Sequence, residues 1–120
     1  MKTQPQVKLC YRWDTKPPHP FLCTEWAQSD QRNPGQWLMA PDCTFDLPPM
    51  GNEYRIPCRQ DSTWVILPDF RSARFWWKAD GSPVAFVIGQ TPDETMTPIP
   101  PPVFRSMWDD DLGGWMQFIL

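Results

Sequence analysis

The side chains best suited to binding a metal ion are four cysteines and one histidine, His19. The cysteines are Cys10, Cys23, Cys43 and Cys58. They form no Cys-x-x-Cys pair, a spacing typical of zinc sites, so zinc binding has little support. An even number of cysteines also permits disulfides, but the polar residues 1–6 do not form a secretory signal. We therefore expect all four cysteines to be small buried apolar side chains, and we expect no metal or cofactor.

Two groups of carboxylates could carry chemistry of their own. The three aspartates at 109–111 could bind calcium or magnesium, but the other oxygen ligands of a calcium loop are missing at the required spacing. Asp14, Glu25 and Asp30 could supply the carboxylate pair of a glycosidase, but acids in polar segments are usually only solvated. A nucleophile–histidine–acid site has no support, because the single histidine lies among prolines. The sequence predicts a protein that is not an enzyme.

Aromatic side chains are the remaining candidates, and they serve binding rather than catalysis. Each of the eight tryptophans can bury about 150–250 Å² in a core, or can anchor a protein partner or a sugar when exposed. Trp76 and Trp77 are neighbours, so in a strand they point to opposite faces. We expect Trp64 and at least one of that pair in the core. The candidate partner-binding residues are Phe70, Arg71, Trp76, Trp77, Trp108 and Trp115.

The 16 prolines among 120 residues limit the elements that can position these side chains. Proline fixes φ and has no amide proton, so it breaks helices and keeps strands short. The length suits one domain or two very small units. A formal net charge of −3 with mixed signs provides no basic stripe, which argues against a nucleic-acid partner. The sequence contains no run of about 18 apolar residues, so it predicts no membrane span, and synthesis in the cytoplasm is the default expectation.

Short strands and turns account for most of the chain. An N-terminal hairpin is predicted to pair residues 9–13 with 21–27, and Asn33-Pro34-Gly35 has the sequence of a type II turn. A meander of four strands is predicted over residues 53–88, and its last hairpin turns at Asp80-Gly81. The predicted strands of the meander are 53–57, 64–67, 74–78 and 83–88. Segments near Trp108 and Trp115 predict one more hairpin.

The predicted fold class is mostly β, with small antiparallel hairpins and a meander joined by proline-rich extended linkers. Pro48-Pro49 and residues 98–102 mark linkers, because consecutive prolines favour polyproline II geometry. The predicted units are an N-terminal hairpin unit with an extended linker (1–49), a central β-meander (50–89), a proline-rich linker (90–102) and a C-terminal Trp hairpin (103–120).

Spaced residues along most of the chain resemble, in order, the motifs of one known family. They are Tyr11, Phe21-Leu22 and Ala27-Gln28; then Pro34-Gly35-Gln36-Trp37-Leu38, Pro41, Thr44 and Pro48-Pro49; then Trp64, Leu67, Asp69, Arg71 and Trp76; and finally Trp108 and Trp115. This pattern resembles the tail fibre assembly proteins of bacteriophages. Phe70 and Ser72 stand where that family often has histidine and glycine. If glycine serves a tight bend there, Ser72 implies a more relaxed one.

The resemblance implies a role in binding and assembly. Proteins of that family help fibre proteins to fold or trimerise, and some remain on the finished tail. The implied partner is a phage tail fibre or a neighbouring tail or baseplate protein, met in the host cytoplasm during assembly. Two alternatives stay open: a structural connector of the virion tail without a chaperone step, and a module at the fibre tip that binds host surface glycans.

Overall fold

The computed structural model describes residues 4–102 and 106–117, and within these ranges it contains ten β-strands and no helix. The mostly β fold class is therefore confirmed. The strands are β1 (Val7–Trp13), β2 (Phe21–Ser29), β3 (Trp37–Leu38), β4 (Cys43–Thr44), β5 (Arg55–Gln60), β6 (Thr63–Pro68), β7 (Trp76–Trp77), β8 (Met96–Thr97), β9 (Ser106–Asp109) and β10 (Gly114–Gln117).

The chain forms two compact units, Met1–Leu67 (unit 1) and Pro68–Leu120 (unit 2). The division falls inside the segment predicted as a single meander, at the Pro68–Arg71 bend. The predicted boundaries at 49/50 and 89/90 do not coincide with it.

A four-stranded sheet in the order β3-β2-β1-β4 organises unit 1. The predicted N-terminal hairpin is confirmed, because β1 and β2 pair antiparallel from Val7 opposite Gln28 to Arg12 opposite Cys23. The register then shifts, so that Trp13 lies opposite Phe21. The turn before β3 also forms as predicted, with φ of 85° at Gly35, a conformation that favours glycine.

Alternation along the strands divides the side chains of this sheet between two faces. The buried face carries Cys10, Ala27 and Cys43, of which none is more than 6% exposed. The half-buried side chains that pack against them are Trp37, Ala40 and Phe45. The Trp37 and Phe45 rings meet edge to face with centroids 5.4 Å apart. Small side chains thus form the centre of this core, and aromatic rings cover it.

The expectation that all four cysteines are buried is right for three and wrong for Cys23. Cys58 is fully buried on β5, and Cys10 and Cys43 belong to the core of unit 1. Cys23 is exposed because it lies opposite Arg12, near the register shift and outside the cluster that Trp37 and Phe45 cover.

The β5–β6 hairpin turns through Asp61 and Ser62, whose φ angles of 48° and 65° lie in the left-handed region. Two left-handed central residues are the mark of a type I′ turn, whose twist suits a two-residue hairpin. A single bridge from Cys58 to Pro20 joins this hairpin to the start of β2. The predicted strands near 53–57 and 64–67 are confirmed as a hairpin, one that begins slightly later in the chain.

Trp64 of β6, which was expected in the core, is half-buried and packs in an aromatic cluster. Its ring meets Trp13 and Phe21 edge to face, at centroid distances of 6.2 and 6.0 Å. The Arg59 guanidinium lies 5.3 Å from the ring centroids of both Trp13 and Trp64. The indole Nε1 of Trp64 donates a 2.8 Å hydrogen bond to the Asp46 carbonyl. Trp64 therefore closes an aromatic cluster near the surface of unit 1.

The predicted four-strand meander is wrong. Strand β7 pairs with β8, not with β6. The turn at Asp80-Gly81 does form, because the Gly81 N–H donates to the Trp77 carbonyl at 2.8 Å. The predicted strand 83–88 makes only one bridge, between Trp76 and Pro83. Proline at its first position cannot donate to a ladder, so the strands separate there.

Among the described residues, the core of unit 2 consists of Val84, Phe86 and Met96, none more than 8% exposed. Val84 and Phe86 alternate with the exposed Ala85 and Val87, so the segment is extended and amphipathic although it is not a strand. The half-buried side chains against this core are Phe70, Phe75 and Trp77. Residues 90–102 were predicted as a linker, but Met96 and Thr97 are buried there because Met96 completes the core.

The C-terminal hairpin is confirmed. Strands β9 and β10 pair antiparallel, and Trp108 lies directly opposite Trp115. Their rings meet edge to face with centroids 5.4 Å apart. The Lys78 ammonium lies 4.9 Å from the Trp108 ring centroid, and Trp115 Nε1 donates to the Ile99 carbonyl at 2.8 Å. These contacts dock the hairpin onto the rest of unit 2, as a lone hairpin requires.

Candidate protein-binding surface

The second face of the unit 1 sheet is covered at one end and open at the other. At the covered end, Trp13 and Phe21 lie under Trp64. At the open end, four large apolar side chains lie on the same face and are exposed. We call these four residues the apolar patch: Val7 (55% exposed), Leu9 (38%), Trp26 (64%) and Leu38 (58%).

Strand pairing places the four side chains of the apolar patch in two adjacent rows. Leu9 lies directly opposite Trp26. Gln28 lies opposite Val7 on one side and Leu38 on the other, so those three form the next row across β1, β2 and β3. Side chains directly opposite each other in an antiparallel pair lie about 5 Å apart at Cβ. Val7 and Leu38 flank Gln28 and lie diagonally next to Trp26, so the four apolar side chains cluster around Trp26, with Gln28 as a polar residue among them.

Tyr11 connects the apolar patch with the aromatic cluster. It is half-buried, follows Val7 and Leu9 on the same face of β1, and its ring centroid lies 6.5 Å from that of Phe21. The exposed patch is therefore supported from below by a packed sheet and from the side by fixed aromatic rings. Because the backbone beneath the patch is already ordered, a partner that binds there causes little further loss of backbone entropy.

A polar depression of about 530 Å³ adjoins the apolar patch and shares Leu38 with it. Asp30, at its wall, accepts hydrogen bonds from the Asn33 side chain and the Arg32 main-chain N–H, each at 2.9 Å. These bonds, the one from Asn33 first, hold the pKa of the Asp30 carboxyl below its ordinary value. An apolar centre beside a rigid polar rim is the usual organisation of a protein interface.

The candidate residues predicted from sequence all lie in unit 2, and most of them pack within it. Phe70 and Trp77 pack against the core of Val84, Phe86 and Met96, and Trp76 is half-buried in β7. Trp108 and Trp115 contact each other and are also half-buried. The structure brings Trp108 and Trp115 together. Arg71 is exposed and contacts Asp69.

Arg71 and Asp69 form a two-bond ion pair at the bend that begins unit 2. Arg71 Nε and Nη2 donate to the two carboxylate oxygens of Asp69 at 2.8 and 2.9 Å. These hydrogen bonds are the main reason that the pKa of Asp69 lies below its ordinary value of 3.8. The ionised pair therefore stabilises the fold above the pKa of the unfolded carboxyl, and that contribution is lost as pH falls through the folded-state pKa.

We expect Arg71→Gln to raise the pKa of Asp69 toward 3.8, because its largest stabilising partner is removed. NMR titration of the Asp69 carboxyl measures this directly. The variant should lose less than about 1 kcal/mol of unfolding free energy at neutral pH, since half of Arg71 is solvated. Arg74→Gln, which changes an exposed arginine of the same segment, is the control. An Asp69 pKa that responds equally to both changes would contradict the assignment.

Trp26 is the functional candidate that sequence reasoning missed. All eight tryptophans lie in the described ranges, and Trp26 alone is exposed. A signal was present in β2, where Cys23, Glu25 and Ala27 alternate with Leu22, Thr24 and Trp26. The usual assumption is that the alternating set with the larger apolar side chains, here the set of Leu22 and Trp26, faces the core. Here Ala27 is buried with Cys10 and Cys43 beneath Trp37 and Phe45, and Trp26 lies on the opposite face.

The acidic and histidine candidates are tied into local turns. Asp109 accepts main-chain N–H bonds from Asp111 and Leu112 at 2.9 and 3.2 Å, and Asp110 accepts from Trp108 Nε1 at 2.8 Å. The Nδ1 atom of His19 lies 3.0 Å from the Asp14 carbonyl. These contacts give the residues structural roles in their loops.

No family model, curated protein or solved structure matches the chain. The described residues include no helix that is long and apolar enough to cross a membrane.

Proposed function

We propose that this protein is a bacteriophage tail fibre assembly protein or fibre-associated tail protein that binds a fibre or a neighbouring tail or baseplate subunit. It acts by binding and catalyses no reaction. The spaced motifs that resemble the tail fibre assembly proteins support the biological setting. The apolar patch supports the mode of action, because it supplies a surface on which such a subunit can dock.

The single observation that carries this proposal is the exposure of Trp26 among apolar neighbours on one face of the sheet. Tryptophan is enriched among the residues that dominate binding energy at protein interfaces, particularly when apolar contacts surround it. Contiguous apolar exposure on a folded protein marks an interaction surface. In this proposal the patch covers apolar surface of a fibre subunit until that subunit trimerises, or stays on it in the virion.

The surroundings of Trp26 favour a protein partner over a sugar. Sugar sites combine an aromatic platform with polar groups that hydrogen-bond the hydroxyls. Trp26 instead has Leu9 directly opposite and Leu38 in the next row, with Thr24 and Gln28 as the polar neighbours along its strand face. The polar residues of the adjoining depression lie beyond Gln28 and Leu38, and Trp26 does not line it. The glycan-binding alternative therefore has the platform, but the polar groups do not surround the indole. A structural connector of the tail would use the same apolar patch and differs only in being retained.

Trp26→Ser is expected to abolish the gain in soluble trimeric fibre that this chain gives when co-expressed with the fibre gene of the same phage. Native gel electrophoresis of the soluble fraction measures the trimer. Leu112→Ser is the matched control, because Leu112 is 70% exposed but lies in the β9–β10 turn. Equal trimer yields with and without the chain would refute the chaperone role.

Two further measurements separate the alternatives. Mass spectrometry of purified virions decides between a released chaperone and a retained tail component, since only the latter is found in the particle. A glycan array tests the tip module. If the protein binds a defined glycan and Trp26→Ser abolishes that binding, the partner is a host sugar and not a fibre subunit.

A further inference from the structure

Three potential metal ligands from three different strands meet on the buried face of the unit 1 sheet. Cys10 of β1 lies directly opposite Glu25 of β2, and Cys43 of β4 lies opposite Arg12, two residues along β1. All three side chains therefore point to the same face. The sulfur atoms of Cys10 and Cys43 and a carboxylate oxygen of Glu25 all lie within 4.8 Å of one another.

The donor set suits a borderline-soft divalent ion. Zinc binds cysteine sulfur at about 2.3 Å and carboxylate oxygen at about 2.0–2.2 Å, with tetrahedral geometry. Two such donors on one ion lie about 3.5–3.8 Å apart. The observed separations, none above 4.8 Å, therefore need to shorten by about 1.3 Å at most to match.

Arg12 positions the Glu25 carboxylate for this role. Arg12 Nη1 lies 2.9 Å from Oε1 of Glu25, while the other carboxylate oxygen, Oε2, lies 3.8 Å from the sulfur of Cys43. One oxygen is thus held by the guanidinium and the other faces the thiols. Partners of this kind orient a metal ligand and raise its affinity.

A divalent cation offsets most of the negative charge of the cluster. Two thiolates and the carboxylates of Glu25 and Asp42, which both contact Arg12, carry four negative charges, and Arg12 and a divalent ion together carry three positive charges. Cys10 is 2% and Cys43 is 6% exposed, with Trp37 and Phe45 packed against them. Thiolates buried to this degree are stable only when they are paired, which the ion would accomplish.

We propose that Cys10, Cys43 and Glu25 bind one Zn²⁺ ion, with Arg12 holding the carboxylate and a water molecule supplying the fourth ligand. Binding displaces the two thiol protons to solvent. The ion joins β1, β2 and β4, so it stabilises unit 1. The proposal is independent of the function proposed above, since the apolar patch lies on the other face of the sheet.

Zinc titration of the reduced, metal-free full-length protein tests the proposal. We expect one zinc per chain to be retained through gel filtration, and a higher melting temperature of the zinc-loaded protein. Co²⁺ used as a probe should give thiolate-to-metal charge-transfer absorption together with the visible bands of tetrahedral cobalt. Retention of no zinc, or a cobalt spectrum without thiolate absorption, would overturn the site.

Variants assign the ligands. Losing a residue that only orients a ligand weakens metal binding about 10–100-fold. Cys10→Ser and Cys43→Ser remove a ligand itself, so each should weaken zinc binding at least about 100-fold, and Glu25→Gln should weaken it at least about tenfold. Glu25→Gln leaves both buried thiols in place, so it tests the site even where a cysteine variant does not fold. The matched controls are the exposed Cys23→Ser and the buried Cys58→Ser, which should bind zinc as the parent does. Equal affinity in all five variants would show that the zinc is bound elsewhere.

Discussion

Replacing Trp64 by alanine should lower the unfolding free energy of unit 1 by about 3 kcal/mol, near the lower end for removing a large aromatic side chain from a core. The lower end applies because Trp64 is half-buried. The variant loses the edge-to-face contacts with Trp13 and Phe21, the Arg59 cation over its ring and the bond to the Asp46 carbonyl. These are the contacts by which β6 covers the end of the sheet.

A local readout for this variant is the thiol of Cys58, which is fully buried on the neighbouring strand. Labelling with a thiol reagent in increasing denaturant, followed by mass spectrometry of the peptide that carries Cys58, gives the midpoint for unit 1. Trp26→Ala is the matched control: it removes the same side chain from an exposed site, so stability should change by less than about 0.5 kcal/mol. Similar losses in the two variants would contradict both the cluster and the exposure of Trp26.

Replacing Phe86 by alanine should cost unit 2 about 3–5 kcal/mol of unfolding free energy, the range for a large aromatic side chain in a core. Phe86 is 8% exposed, and its ring meets Phe70 and Phe75 at centroid distances of 5.8 and 5.6 Å. Among the described residues of unit 2 few side chains are fully buried, so few neighbours can move into the space that the Phe86 ring leaves. The total unfolding free energy of a domain is only about 5–15 kcal/mol, so a loss of this size would leave unit 2 close to unfolding.

Val87→Ala is the control for Phe86→Ala, because Val87 follows it directly and is 66% exposed. Its stability should remain within about 0.5 kcal/mol of the parent. The dispersion of the Met96 methyl resonance in NMR spectra reports the core of unit 2, since Met96 is buried beside Phe86. A Phe86→Ala protein that keeps a parent-like Met96 resonance and the same denaturation midpoint would show that this core is wrongly placed.

Local patterns predicted the hairpins and missed the longer-range pairings. The β1–β2, β5–β6 and β9–β10 hairpins join neighbouring segments, and aromatic residues and turn sequences are enough to mark them. The β7–β8 pairing joins Trp76–Trp77 to Met96–Thr97 across a long intervening segment, and no local signal specifies it. Pro83 is a local signal against a long hairpin at Asp80-Gly81. It lies opposite Trp76 and has no N–H to donate, so the pairing of the two segments ends after one bridge.

The candidate surface was missed for a different physical reason. A tryptophan has a large apolar side chain in either setting, so residue type alone does not tell whether a given tryptophan lies in the core or at an interface. Burial is decided by the space available on each face, and the face of Cys10, Ala27 and Cys43 is filled by small residues under aromatic cover. Trp26 is left on the other face. Only the pairing of three strands, which a single sequence does not reveal, shows that Val7, Leu9 and Leu38 are its neighbours.

The left-handed turn at Asp61 and Ser62 joins two adjacent strands, so the β5–β6 hairpin can form from local contacts alone. A two-residue hairpin closes in about 1–10 μs, because its loop loses little entropy. The four-stranded sheet forms more slowly, since β4 must return to β1 from a distant part of the sequence. During synthesis, the N-terminal strands leave the ribosome before β6 exists, so Trp13 and Phe21 are uncovered until the hairpin emerges and closes over them. A nascent chain stalled before residue 55 is therefore the form of this protein most exposed to aggregation and chaperone capture.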